Sequence, residues 1–103
     1  MKIVGIAACT AGIAHTYIAK EKLIRAAQNA GHIIHMETQG TIGVEDELKQ
    51  SDIDAADVVI LAIDVSITGK ERFAGKKIVE VPTEVVVRSP KGLISKVEEI
   101  VNS

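Results

Sequence analysis

Hydrophobic residues along the chain fall into short runs that are separated by segments with a helical spacing. Four runs predict β-strands: Ile3–Ala8, Ile33–Glu37, Val58–Ile63 and Ile78–Val81. The first and third are almost uninterrupted, which is typical of central strands in a parallel sheet that is covered on both faces. The fourth is short and is flanked by lysines and a proline, which is typical of an edge strand.

The segments between these runs predict helices. Ala14–Ala30 has one apolar and one polar face, and Gly31 is placed to end this helix. Its apolar face is predicted to consist of Ala19, Leu23, Ala26, Ala27 and Ala30. Ser51 is expected to cap a short helix, and Ser89 and Pro90 are expected to begin a C-terminal one. This alternation predicts right-handed βαβ units in a Rossmann-like α/β fold, an open four-stranded parallel sheet with helices on both faces.

Composition narrows the class of protein. The 103 residues suit one domain over residues 1–103, and 47% hydrophobic residues argue against disorder. A net charge of -2 with 2% aromatics argues against nucleic-acid binding. A single cysteine fits a reducing compartment, and no apolar run approaches the roughly 18 residues that cross a bilayer. We therefore expect a cytoplasmic protein without direct membrane insertion. His32 and His35 lack metal-ligand spacing and are interpreted as structural, so no metal site is expected. No cofactor is expected either.

The candidate chemistry lies where the predicted strands end. Ligands of open parallel sheets bind beyond the carboxyl ends of the strands, which gathers Cys9–Thr16, Glu37–Gly43 and Asp64–Gly69 at one edge. Cys9 stands between a strand and a helix N-terminus, where the helix dipole and unpaired N–H groups favour a thiolate and bind phosphate. Because of this placement, we interpret Cys9 as a nucleophile that also carries a phosphoryl group, rather than as a small buried residue of the core.

The loop after Cys9 has residue types that suit an anion. Small residues let successive backbone N–H groups close around phosphate, and threonine hydroxyls can donate to its oxygens. His15 can stabilise a thiolate or a bound phosphate; the alternative is an exposed helix residue. The predicted phosphate-binding residues are Thr10, Ala11, Gly12, Ile13, Ala14, His15 and Thr16.

Two other segments at the same edge carry polar residues. Thr38, Gln39 and Gly40 are predicted to form a second wall of the Cys9 pocket; the alternative is a polar loop with a turn glycine. Asp64 follows the third strand. We expect it to hold the edge loops by accepting backbone hydrogen bonds, because a carboxylate would repel a phosphate.

The run Cys-Thr-Ala-Gly-Ile-Ala-His-Thr, residues 9–16, resembles the phosphorylation loop of fructose-family enzyme IIB domains of the bacterial phosphoenolpyruvate-dependent sugar phosphotransferase system. Further matches follow in the family's order and span most of the chain, at residues 37–40 with 42–43, 55–60 and 71–76. The family loop usually reads Cys-Pro-Thr-Gly-Ile-Ala-His-Thr. Thr10 and Ala11 therefore depart from it, which changes the turn and its hydroxyls but keeps the cysteine, the glycine and the His-Thr pair.

The resemblance implies a phosphocarrier. Cys9 would be a phosphocysteine that accepts its phosphoryl group from a phosphohistidine of enzyme IIA. It would pass the group to a sugar, fructose or a fructose-like one, that membrane enzyme IIC holds during uptake. The domain would then be associated with the inner face of the membrane through enzyme IIC, and we expect it to be a monomer when isolated.

Rival functions lack the residues that they require. A cysteine-dependent phosphatase, the alternative enzyme, has an arginine six residues after its nucleophile to grip phosphate, where this chain has His15. A redox role such as arsenate reduction needs a second cysteine. A receiver-type binding module needs acidic residues after the first strand, where this chain has Ala7 and Ala8.

Overall fold

A computed structural model describes residues 1–10, 13–40 and 43–102, which form a five-stranded sheet with helices on both faces. The strands are β1 (Lys2–Ala8), β2 (Ile33–Gly40), β3 (Gly43–Glu45), β4 (Val58–Ile63) and β5 (Ile78–Val81). The helices are α1 (Ile13–Asn29), α2 (Gln50–Ala55), α3 (Thr83–Arg88) and α4 (Pro90–Asn102), with a 3-10 turn at Lys70–Phe73. The order across the sheet is β3-β2-β1-β4-β5.

The predicted α/β architecture is confirmed, but the predicted strand count is wrong. Strands β2, β1, β4 and β5 are parallel neighbours, and β5 is the expected edge strand. The additional strand β3 runs antiparallel to β2, with Thr38 opposite Glu45 and Gly40 opposite Gly43. Three residues are too few to show a periodic pattern, so the sequence gives no signal for β3. The same pairing carries β2 on to Gly40, beyond its predicted end at Glu37.

The core is divided into two layers by the sheet, because successive residues of a strand point to opposite faces. In β1, Ile3 and Ala7 join the layer under α1, α3 and α4, whereas Val4 and Ile6 join the layer under α2 and the 3-10 turn. The helical residues of the first layer are Ala19, Leu23, Ala26, Ala27, Val86, Leu93, Ile94 and Val97. Leu48, Ile53, Ala56 and Phe73 fill the second.

Gly5 stands at the centre of β1, where the neighbouring elements come closest. A Cβ atom on this residue would lie 2.5 Å from the carbonyl oxygen of Ile60 and 2.7 Å from the sulfur of Met36. Only glycine therefore fits between β2 and β4 at this position.

The end of α1 follows the sequence prediction at all but one residue. The N–H of Gly31 donates to the carbonyl of Gln28 and the N–H of His32 to that of Ala27, and Gly31 has a φ of 85°. These two bonds and the left-handed glycine form a Schellman cap. Ala30, predicted on the buried face, is exposed because the helix has already ended at Asn29.

The shorter helices differ more from the prediction. Lys49, rather than Ser51, stands at the N-cap of α2. Helix α4 begins at Pro90 as predicted. Helix α3 was not predicted, because three consecutive valines favour a strand. It forms because Val86 is fully buried in the layer that α3 shares with α1.

None of the helices that the structure describes combines the length and apolar character needed to span a bilayer.

Candidate functional site

Cys9 is the first residue after β1 at the carboxyl edge of the sheet, and it is half-buried. Helix α1 begins four residues later, at Ile13. The structure therefore has the strand and the helix that the sequence predicted on either side of the cysteine. The N–H of Asp64 donates to the carbonyl of Ala8 over 2.9 Å, which fixes the residue after β4 beside Cys9.

Four side chains from four separate segments come together around the hydroxyl of Thr83, and we call them the Cys9 cluster: Cys9, His15, Asp64 and Thr83. The hydroxyl oxygen of Thr83 lies 3.7 Å from the sulfur of Cys9 and 3.2 Å from Nε2 of His15. The same hydroxyl donates to Oδ2 of Asp64 over 2.6 Å. Thr83 is 1% exposed, Cys9 and His15 are half-buried, and Asp64 is exposed, so the cluster is buried on its Thr83 side only.

Asp64 is held by Thr83 through both carboxylate oxygens. The backbone N–H of Thr83 donates to Oδ1 over 3.0 Å, which confirms the expectation that Asp64 accepts a backbone hydrogen bond at this edge. The Thr83 hydroxyl, the Cys9 thiol and the charge of His15 together lower the pKa of Asp64 below its ordinary value, against a smaller opposing effect of burial. Asp64 is therefore a carboxylate near neutral pH, and it acts as an acceptor only.

The predicted phosphate-binding residues differ in their surroundings. Thr10 and Ala14 are exposed, whereas Thr16 is 1% exposed within the first turns of α1. Ala11 and Gly12 lie outside the described residues, and so does the side chain of Ile13. His15 belongs to the Cys9 cluster through its contact with Thr83. The phosphate-binding role of the whole loop stays a prediction.

The predicted second wall is divided between the two faces of β2. Thr38 is paired with Ala7 in register and is 1% exposed, and its hydroxyl has no hydrogen-bond partner within the part of the chain that the structure describes. Gln39 instead holds Thr68, donating to its carbonyl and accepting from its N–H over 2.9 Å each. Gly40 is exposed at the end of the strand. Gln39 therefore anchors the segment that follows Asp64, and a wall of the Cys9 pocket stays a prediction.

Glu37 and Arg72 form an ion pair under the other face of the sheet. The guanidinium donates to both carboxylate oxygens of Glu37, over 2.9 and 3.1 Å. Glu37 is 0% exposed, and burial alone would raise its pKa. Hydrogen bonds from Arg72, from Gln39 and from the backbone N–H of Leu48 outweigh burial, so the pKa of Glu37 is lowered. The pair and Gln39 together anchor β2 to the 3-10 turn and to Thr68.

A cleft of about 730 Å³ adjoins the cluster beyond β4 and β5. Asp64 of the cluster and Pro82, which precedes Thr83 in the chain, both line this cleft. The other lining residues are Ile63, Val65, Ser66, Ile67, Lys70 and Glu80. The Asp64 side of the cluster is therefore open to solvent. In residues 1–10, 13–40 and 43–102, no three His, Cys, Asp or Glu side chains are placed to hold a metal ion.

The sequence prediction missed Thr83. It follows β5, so it lies at the same carboxyl edge as the three segments that were identified. The rule that ligands bind beyond the strand ends, applied to the fourth parallel strand as well as to the first three, would have found it.

Comparison with known proteins places the chain among sugar-transport components. Residues 4–96 match the family described as "PTS system, Lactose/Cellobiose specific IIB subunit". The chain is 46% identical over 97 residues to "PTS system fructose-like EIIB component 2" of Escherichia coli strain K12, a match that covers 94% of this chain and 92% of that protein. It is 43% identical to "Fructose-like PTS system EIIBC component" of the same strain, over 93% of this chain and 20% of that longer protein.

Solved structures have the same fold. The crystal structure of a "Predicted Fructose Specific IIB" from Escherichia coli superposes with a TM-score of 0.93 at 33% identity, covering 99% of this chain and 90% of that one. The solution structure of an "Enzyme IIB subunit of PTS system" from Escherichia coli K12 superposes with a TM-score of 0.91 at 32% identity, covering 98% and 94%.

Proposed function

Because this chain belongs to the IIB family of the sugar phosphotransferase system, we propose that Cys9 is its phosphocarrier residue. Cys9 accepts a phosphoryl group from a phosphohistidine of enzyme IIA. It then passes the group to fructose or a fructose-like sugar that membrane enzyme IIC holds. The observation that carries this proposal is the Cys9 cluster, a half-buried cysteine at the carboxyl edge of the sheet with a histidine within reach of the same hydroxyl.

In this chain, the sulfur of Cys9 is the one atom that forms a covalent bond to the phosphoryl group during the proposed transfer. The Cys9 thiolate forms an S–P bond while the P–N bond of the donor breaks, and the donor's imidazole keeps the electron pair and takes up the proton that the thiol released. The N–H groups of the first turn of α1 and the helix dipole stabilise the charge on the phosphoryl oxygens. Positioning and electrostatics therefore account for most of the rate.

The second transfer reverses the role of the sulfur. A sugar hydroxyl gives up its proton as its oxygen bonds to phosphorus, and Cys9 leaves as a thiolate. The cleft that Asp64 and Pro82 line lies beside the cluster, which supports the approach of an acceptor from that side. The likeness to a fructose-like EIIBC component supports cooperation with a IIC partner, and it supports our proposal that the domain works at the cytoplasmic face of the membrane.

The arginines of the chain argue against the phosphatase alternative. Arg72 is committed to buried Glu37, while Arg25 and Arg88 pair with Glu21 and Glu84 on exposed helix faces. A guanidinium that grips the phosphate of a hydrolytic transition state is thus not provided by these three residues. We expect the isolated protein to hydrolyse a small aryl phosphate slowly and without repeated turnover.

The experiment is phosphorylation by an enzyme IIA that carries phosphohistidine, followed by mass-spectrometric mapping of the modified residue. The wild-type chain should gain one phosphoryl group, on Cys9, and Cys9→Ser should fold but pass no phosphate to sugar in the presence of enzyme IIC. A matched control combines Cys9→Ser with Ser95→Cys, which moves the single thiol to an exposed position on α4. Modification of that displaced thiol, or sugar phosphorylation near the wild-type rate by Cys9→Ser, would reject the proposal.

A further inference from the structure

The hydroxyl of Thr83 connects the three other side chains of the Cys9 cluster, and Thr83 itself lies outside the loop that follows Cys9. Its side chain has a single hydroxyl, with one proton to donate and two lone pairs to accept. Three groups from distant parts of the chain surround that oxygen: a carboxylate, an imidazole and a sulfur. The first question is which of them receives the proton.

The proton of the Thr83 hydroxyl goes to Asp64. Asp64 is ionised and can only accept, and its Oδ2 is the nearest of the three partners at 2.6 Å, a distance typical of a charge-assisted O–H···O⁻ bond. The backbone N–H of Thr83 holds the other carboxylate oxygen, so the carboxylate is fixed in this orientation. The oxygen of Thr83 is therefore left as an acceptor for its remaining neighbours.

This assignment decides the state of His15. Its Nε2 lies 3.2 Å from the oxygen of Thr83, and a hydrogen bond there requires the proton on Nε2. In a neutral imidazole the other nitrogen, Nδ1, then has no proton and is an acceptor. In the cation it is a donor. In either state, Nε2 of His15 faces Thr83, so the Nδ1 edge of the ring faces away from the Asp64–Thr83 pair.

Resting on the proposed function, we propose that Thr83 is a positioning residue for phosphotransfer. It connects the charge of Asp64 to His15, holds the imidazole by Nε2, and so leaves Nδ1–H of the imidazolium to donate to the phosphoryl group on Cys9. Its contact with the sulfur sets the spacing between that imidazole and the nucleophile. Asp64 thereby acts on the imidazole of His15 through the hydroxyl of Thr83.

The test compares two substitutions that differ in one hydroxyl. Thr83→Val keeps the branched shape and removes the hydroxyl, and Thr83→Ser keeps the hydroxyl. The first readout is the His15 tautomer, measured by long-range ¹H–¹⁵N correlation NMR on the unphosphorylated protein. The second is the rate of phosphoryl transfer from phosphorylated enzyme IIA to Cys9. A urea titration of each variant confirms that it is folded.

We expect the wild type and Thr83→Ser to show the Nε2–H form, and Thr83→Val to lose that preference. The transfer rate should fall by up to about tenfold in Thr83→Val, the upper end of what the loss of one hydrogen bond costs, and should return to within about twofold of wild type in Thr83→Ser. If Thr83→Val does not fold, Asp64→Asn provides the same test, because it removes the charge that holds the Thr83 proton, and the Nε2–H preference should weaken.

Two results would overturn the proposal: an unchanged His15 signature in the folded variant, or a transfer rate that falls equally in Thr83→Val and Thr83→Ser while the tautomer stays fixed. A different result separates this proposal from the proposed function. If wild-type Cys9 is never phosphorylated but His15 responds to Thr83→Val, the phosphocarrier assignment fails and the arrangement of Asp64, Thr83 and His15 stands.

Discussion

Removal of Arg72 should destabilise the protein strongly, because it leaves a carboxylate buried without its counter-ion. Glu37 is 0% exposed, and the Arg72 side chain is 18% exposed. Breaking a buried ion pair by removing one partner costs about 3–5 kcal/mol. Arg72→Leu also removes a cation–π contact with Phe73, at 5.2 Å, and a hydrogen bond to the carbonyl of Gly69.

The expected loss lies near the lower end of that range. Glu37 keeps its hydrogen bonds from Gln39 and from the backbone N–H of Leu48, so its carboxylate is not left bare. We expect Arg72→Leu to lower the free energy of unfolding by about 3 kcal/mol, out of roughly 5–15 kcal/mol for a domain of this size. The urea midpoint should then fall by about 1–3 M. The chain has no tryptophan, so far-UV circular dichroism is the appropriate signal.

The stabilising effect of the Glu37–Arg72 pair should depend on pH in a defined direction. The pKa of Glu37 is lowered in the folded state from an ordinary value of 4.5, so its stabilising contribution is present above pH 4.5 and is lost as the pH falls through the folded pKa. The difference in free energy of unfolding between wild type and Arg72→Leu should therefore become smaller as the pH is lowered below 4.5. The double variant with Glu37→Gln should be more stable than Arg72→Leu alone, because no charge is left buried.

A surface pair provides the control. Arg25 donates to Glu21 one helical turn away, and both side chains are 71% exposed. Arg25→Leu should change the free energy of unfolding by no more than about 0.5 kcal/mol. If Arg72→Leu destabilises the protein no more than Arg25→Leu does, or if its deficit does not shrink at all below pH 4.5, the reasoning about the buried pair is refuted.

Two further predictions concern the elements that support the cluster. Gly5→Ala should lower the free energy of unfolding by about 3 kcal/mol or prevent folding, because its Cβ would overlap the backbone of β4; urea titration measures this, and a loss below about 1 kcal/mol would contradict it. Gln39→Leu should lower the free energy of unfolding by about 1–3 kcal/mol. It should also speed amide hydrogen exchange at Thr68, because the N–H of Thr68 loses its acceptor. Exchange at Thr68 that matches wild type would argue against that role.

The sequence predicted the parallel core of the fold because each central strand carries a strong apolar signal. Strand β4 was predicted to the residue and β1 to within one. Two kinds of element were missed. Some, such as β3, are too short to show a pattern, and others, such as α3, have residues that locally favour a different secondary structure. Helix α3 has valines that favour a strand, and only the burial of Val86 between α1 and the sheet makes it a helix. Tertiary contacts of this kind are not visible in a periodic pattern.

The sequence identified only some of the residues that the structure brings together in the Cys9 cluster. Cys9 and His15 stand six residues apart in one motif, so local spacing was sufficient to find them. Thr83 lies 74 residues after Cys9, and only the sheet order brings the two together. The buried bonds of Glu37 were also unpredicted. Its partner Arg72 is 35 residues away, and the charge pattern contains no signal that links them.

The long separations within the Cys9 cluster have a consequence for the chain as it is being made. Sulfur and hydroxyl are contributed by residues 74 apart, and the imidazole meets the same hydroxyl across 68 residues. During synthesis from the N-terminus, the cysteine therefore leaves the ribosome long before the threonine that it contacts. Contacts between such distant residues form late in folding, after the loops between them have closed. A nascent or partly folded chain thus holds its thiol without the contact to Thr83, and the arrangement on which our proposed phosphoryl transfer depends exists only once the fold is complete.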